Sequence, residues 1–156
     1  MTEAMVITMA DQGPVVLEQE DVFFTSRSGR LKLRTINRQQ SELIYYERGD
    51  LAGAKASNYL VVPVGDATAM RQVLAQVADE RGVVRKVRTL YLIGPTRVHL
   101  DEVEGLGSYL ELEVVLSPDQ SIEEGQDVAE DIMAMLGIEE SSLVRGAYLD
   151  LLERRT

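Results

Sequence analysis

The sequence predicts an α+β domain in which an antiparallel sheet of about seven strands carries helices on its outside. Three observations support this. Strand-like runs follow one another from Val83 to Leu116, turned at Gly94-Pro95-Thr96 and again from Glu104 to Gly107. RLKLRTI, from Arg30 to Ile36, alternates strictly between apolar and polar residues, the period of a strand. At Asp66 the apolar spacing lengthens to that of a helix, and it does so again after Ser121.

Residues 1–20 carry the weakest pattern. Gly13-Pro14 marks a turn, and Val15-Val16-Leu17 either begins a strand or ends a connection. DVFFT, Asp21 to Thr25, reads as a strand, followed by a turn from Ser26 to Gly29. In the next strand Leu31 and Leu33 share one face, while Arg30, Lys32 and Arg34 share the other. The polar NRQQS loop leads to ELIYYER, a strand from Glu42 to Arg48 that sets Ile44, Tyr46 and Arg48 on one face. A loop over 49–56 precedes a strand from Ser57 to Val64.

Met70, Val73, Leu74, Val77 and Ala78 then form a helical stripe, with Asp66 as N-cap and Gly82 as the stop. Ser121 and Glu124 have the spacing of a capping box. They open a helix with the stripe Ile122, Val128, Ala129, Ile132, Met135 and Leu136, ended by Gly137. A last helix, from Ser142 to Glu153, buries Val144, Tyr148, Leu151 and Leu152. Neither a repeat nor a linker divides the chain, so residues 1–156 read as one domain.

Composition excludes several functions. Without cysteine there is no disulfide, thiolate nucleophile or cysteine-bound zinc, which fits a cytoplasmic setting. No apolar run approaches the ~18 residues of a membrane span. A formal net charge of −10 repels duplex nucleic acid and anionic lipid. Neither a glycine-rich phosphate loop nor a nucleophile elbow is present. An anionic ligand therefore needs a segregated basic site.

The strands offer one. Lys86 and Arg88 share a face of the first central strand, Arg97, His99 and Asp101 of the second, and Glu111 and Glu113 of the third. Alternating charge usually marks a wet sheet face, which as a rule mixes both signs. Here Arg30, Lys32 and Arg34 stand side by side, as do Lys86 and Arg88, and such neighbours repel unless an anion lies between them. Curling the sheet into a barrel would aim both signs inward, where they interact more strongly. Glu111 and Glu113 suit Mg²⁺ or Mn²⁺, which take carboxylate and phosphate oxygens. His99, the one histidine, reads as structural rather than as a base, and Glu18 and Glu20 read as part of a solvated acidic turn.

Read together, QEDVFF (19–24), GRLKLR (29–34), ELIYYER (42–48), KAS (55–57), VRKVR (84–88), RVHLDEVEGLGSYLELE (97–113) and GAYLDLL (146–152) resemble the CYTH family of triphosphate tunnel proteins. The resemblance is to its class IV adenylyl cyclase branch, and the family also includes thiamine triphosphatases. It implies an eight-stranded antiparallel barrel. It implies that Lys32, Arg34, Arg48, Lys55, Lys86, Arg88 and Arg97 contact a nucleoside or organic triphosphate. Lys86, Arg88 and Asp101 are then the catalytic candidates. Glu111 and Glu113 hold Mg²⁺ or Mn²⁺, with Asp101 as a further ligand or an orienting carboxylate. A cyclase of this kind makes cyclic AMP and pyrophosphate from ATP, whereas a triphosphatase directs water at the terminal phosphate.

One family feature has no counterpart. The family's first strand carries Glu-x-Glu-x-Lys, and nothing from Met1 to Glu20 has that pattern. The sequence therefore predicts a barrel one strand short, with an atypical N-terminus over residues 1–17. An altered start, a non-catalytic triphosphate-binding or structural module, and a homodimer that closes the gap are all consistent with it, as is a remodelled strand from Glu3 to Met9 that patches the barrel.

Overall fold

A computed structural model describes residues 2–47, 58–138 and 148–155. In chain order the elements are α1 (Thr2–Met9), β1 (Gln12–Phe24), β2 (Arg30–Ile36), β3 (Gln40–Glu47), β4 (Asn58–Val64), α2 (Ala67–Val77), β5 (Glu80–Ile93), β6 (Thr96–Val103), β7 (Gly107–Val114), α3 (Ile122–Met135) and α4 (Tyr148–Arg155). The strands form one sheet in the order β4-β3-β2-β1-β5-β6-β7, with every neighbouring pair antiparallel. The expected α+β class and seven strands are present. The expected closed barrel is not: β4 and β7 are the two edges of an open sheet among the described residues. Closure needs those edges to pair with each other or with an eighth strand between them.

The N-terminal half departs from the sequence reading in three places. Residues 2–9 form a helix rather than a patching strand, and Val6 is fully buried against Tyr91, Val98, Ile132 and Leu136. Gly13-Pro14 is not a turn before the sheet but lies inside β1, where the pairing with β5 slips between Gln12 and Val15. Gly13 takes φ +113°, and a Cβ there would lie 2.7 Å from the Leu90 carbonyl oxygen, so this close approach to β5 requires glycine. The acidic run at Glu18 to Asp21 is likewise strand. Its polar residues alternate with one another, so there is no apolar period to reveal it.

β1 and β5, at 13 and 14 residues, pair along the middle of the sheet. One sheet face is covered by helices. Val22, Phe24 and Leu33 pack with Leu74 of α2, while α1 and α3 cover Tyr91 and Val98. Asp66 accepts a hydrogen bond from the Ala69 amide, and Ser121 with Glu124 forms the expected capping box. The helix stripes are narrower than expected. Val73, Val77, Ile122 and Met135 are exposed, and Leu149 is the buried leucine of α4. α2 also ends before Gly82, with Ala78 as its C-cap. Gly82 belongs to β5, where a Cβ would lie 2.8 Å from Leu149.

The opposite face packs Phe23, Val84 and Val103 under Leu149 of α4 at one end. Beyond α4 that face carries charge. Within the expected last helix, residues 142–147, including Val144, lie outside the described residues, as do Arg48 and Lys55.

Burial of Val6 makes α1 a working part of the core. Val6→Ala is predicted to destabilise the fold by about 2 kcal/mol through lost burial and the cavity left behind. Chemical denaturation measures this, and an unchanged midpoint would show that α1 does not pack as described.

Candidate functional site

The strand registers decide which side chains meet. Asp21 of β1 pairs with Arg34 of β2, and Phe23 with Lys32. Gln19 pairs with Lys86 of β5, Arg88 with Asp101 of β6, Arg97 with Glu113 of β7, and His99 with Glu111. By the two-residue period these side chains all share the face that α4 caps. Lys32, Arg34, Lys86, Arg88, Arg97, His99, Asp101, Glu111 and Glu113 are thereby brought onto one surface.

Two buried carboxylates organise the cations. Asp21, with no exposed surface, accepts hydrogen bonds from Arg34 Nε and Nη2 at 2.7 and 2.8 Å and from Lys86 Nζ at 3.3 Å; Lys32 Nζ lies 3.5 Å away. Asp101 accepts from Arg88 Nε and Nη2, each at 2.8 Å, and from the Tyr148 hydroxyl at 2.8 Å. Arg88 also lies 3.7 Å from Glu111. The Lys32 ammonium faces the Tyr46 and Phe23 rings, at 5.0 and 5.7 Å, and Lys86 lies 5.2 Å from the Tyr148 ring. Around Asp21 three cations share one buried carboxylate, which leaves that part of a chain of net charge −10 positive, whereas Arg88 is matched by Asp101 and Glu111.

The titration shifts follow from burial first and from the neighbouring charges second. Burial alone would raise the Asp21 carboxyl, but Lys32, Lys86 and Arg34 outweigh it and hold the group well below its usual range. Burial pushes Lys32 down to about 7; Asp21 opposes this, and Arg34, Lys86 and Arg88 add to it. Lys86 moves in the same direction, chiefly by burial. His99 is lowered to about 3 by burial and then by Arg88, so it is neutral at ordinary pH. Burial and then Asp101 and Glu111 raise the Tyr148 phenol, which stays protonated and donates to Asp101.

The face is also short of hydrogen bonds. Gln19 Oε1, Arg97 Nε and both His99 ring nitrogens are buried without a hydrogen-bond partner. Each such atom costs about 1–3 kcal/mol until it is satisfied. A metal fits this face through Glu111 and Glu113, two carboxylates that a hard cation would share with phosphate oxygens. Asp101 is differently placed, since both its oxygens are engaged by Arg88 and Tyr148. No group of three or more metal-ligating side chains occurs among the described residues.

Sequence reading missed Asp21, Gln19 and Tyr148. Asp21 opens the expected strand DVFFT and alternates with Phe23, a signal obscured by the acidic run before it. Tyr148 had no signal beyond an expected core position. A basin of about 810 Å³ on the other face is lined by Glu18, Glu20, Arg71, Arg85 and Glu102 among others. Arg71 pairs there with Glu80, and Arg85 with Glu20, so these arginines are already neutralised by protein carboxylates.

Fold and face together define an antiparallel-sheet domain with a buried, cation-rich surface suited to a multiply charged anion. The chain belongs to the CYTH domain family, whose model matches residues 6–148. A candidate adenylate cyclase of Methanocaldococcus jannaschii is 32% identical over 102 residues, spanning 63% of this chain and 57% of that protein. An adenylate cyclase of Aeromonas hydrophila is 29% identical over 84 residues, 54% of this chain and 40% of that protein. The chain therefore spans about half the length of these curated relatives. A solved Pyrococcus horikoshii structure superposes with a TM-score of 0.85 at 26% identity, covering 97% of this chain and 92% of that one.

An anion beside Lys32 would restore its proton. Binding of inorganic tripolyphosphate above about pH 7 is therefore predicted to take up protons, read as a binding enthalpy that varies with the ionisation enthalpy of the buffer. The affinity should fall as pH rises through that value. Identical enthalpies in all buffers would contradict the placement of Lys32.

Proposed function

We propose that the charged face binds the phosphate chain of a nucleoside or organic triphosphate together with Mg²⁺ or Mn²⁺. The observation that carries this reading is the net-positive cluster around Asp21, buried in an acidic chain and bordered by polar atoms without partners. Membership of the CYTH family and the adenylate cyclase names of its relatives support it. Lys32, Arg34, Lys86, Arg88 and Arg97 would neutralise phosphate oxygens, while Asp21 and Asp101 keep the guanidinium groups fixed. Asp101 serves here as the orienting carboxylate. Arg48 and Lys55 join this set by resemblance alone.

Glu111 and Glu113 would hold the divalent ion, which supplies further charge neutralisation when bound. For ATP, the reaction proposed is attack of the ribose 3′-oxygen on the α-phosphorus, breaking the bond to the β-phosphate oxygen and releasing pyrophosphate. Triphosphatase chemistry would instead direct water at the terminal phosphorus. In both, Lys86 and Arg88 stabilise negative charge as it shifts toward the leaving group. A second reading, binding without turnover, is favoured by the small number of metal-ligating groups on the described face.

Calorimetry with tripolyphosphate and with ATP, each with Mn²⁺, tests the binding claim. Micromolar to millimolar affinity is expected, with Arg97→Gln about tenfold weaker, the loss of roughly one charged hydrogen bond. No heat at millimolar ligand, or an unchanged affinity in Arg97→Gln, would remove this face from the account. Assays for cyclic AMP and inorganic phosphate from ATP then separate cyclase, phosphatase and binding-only behaviour.

A further inference from the structure

The edge at β4, open among the described residues, is unusual for its chemistry. Its sequence, NYLVVPV, holds no charge, and Leu60, Val61 and Val62 are 68%, 50% and 55% exposed. A long, uncharged, apolar edge strand is what monomeric sheet proteins generally avoid. The neighbouring helix extends this surface. On α2, Leu74 faces the core, and Arg71 reaches across to Glu80 at the start of β5. Helical spacing puts Val73 and Val77, one turn apart and 58% and 77% exposed, on the opposite flank, toward the β3 and β4 side of the sheet.

We propose that β4 and this flank of α2 form a self-association surface, on which a second copy of the chain adds its own β4 antiparallel across a two-fold axis. The choice of occupant follows from charge and symmetry. The other described edge, β7, carries Glu111 and Glu113, so joining two β7 edges brings four carboxylates together. Joining β4 to β7 is head-to-tail, so it propagates into a filament unless the rotation closes a ring, and it sets the apolar β4 against the acidic β7. Pairing β4 with β4 closes after two copies and opposes no charges within the paired strands. For a chain of net charge −10, that neutral face is also where two copies approach with least repulsion.

The backbone sets the register. Pro63 has no N–H, so it is accommodated where that group would have pointed away from β3. Val61, two residues earlier, has the same orientation and offers both its N–H and its C=O outward. Pairing centred on Val61 sets Leu60 of one copy against Val62 of the other, on the face shared with Val73 and Val77. Pro63 then ends the ladder. A single strand pair with one apolar flank gives a weak dimer, and screening of the net charge should strengthen it.

Sedimentation velocity of the whole chain over a concentration series, at low and high salt, tests this. A reversible monomer–dimer equilibrium is expected, shifted toward dimer by salt and lost in Leu60→Lys/Val62→Lys. Val77→Lys, on the helix surface, should weaken the dimer without touching the strand. Exchange protection of the Val61 amide should rise with protein concentration. A monomer at every concentration overturns the proposal, as does a dimer that survives both sets of lysines. A ladder of higher oligomers overturns it in favour of head-to-tail pairing. The proposal does not depend on ligand binding, and the lysine variants should bind tripolyphosphate as the parent chain does.

Discussion

Asp21 is the group on which the rest of the face depends. It sits on the central strand with no exposed surface, between Lys32 and Arg34 on β2 and Lys86 on β5. A buried carboxylate without cations would be costly, and so would three cations without a carboxylate. Together they are tolerable but unbalanced, with one negative charge facing three positive ones. Burial depresses Lys32, with the neighbouring cations adding to it against Asp21, and the residual charge makes the surface receptive to an anion. Asp101 on β6 is a smaller counterpart, one carboxylate that fixes Arg88 with help from Tyr148.

The fold supplies what this arrangement needs. The long β1–β5 pair brings Asp21 and Lys86 together, and α1, α2 and α3 cover the other face, so that among the described helices α4 alone packs on the charged one. α4 joins structure to site, since its Leu149 closes the apolar end while Tyr148 reaches the polar one. Even Gly82 serves this junction, because any side chain there would push against Leu149. Segregation resolves the apparent conflict between an acidic chain and an anionic ligand. The outer-face arginines Arg71 and Arg85 are each matched by a glutamate, and the unmatched positive charge lies on the other side, around Asp21.

Much of this was legible in the sequence because the strands alternate. RLKLRTI, VRKVR and RVHLDEV each expose their period, and the faces read from them are the faces in the structure. Both helix caps, Asp66 and Ser121, were readable for the same local reason. What was hidden was long-range or lacked apolar contrast. Glu18 to Glu20 looked like a turn because polar residues fill both faces of β1 there. The helix over residues 2–9 is short and is stabilised by packing of Val6 rather than by a pattern of its own. Tyr148 meets Asp101 only because α4 folds back over a strand 47 residues away. Closure of the sheet was an expectation from resemblance, and the described strands form an open sheet instead.

Thermal unfolding of Asp21→Asn with and without tripolyphosphate is the measurement closest to the central claim. Removing the shared carboxylate should destabilise the free chain by about 3–5 kcal/mol, since three cations lose their buried partner. Tripolyphosphate should then recover much of that loss, stabilising the variant more than the parent. A variant as stable as the parent, or one that gains nothing from the anion, would contradict a face organised by Asp21 and completed by phosphate.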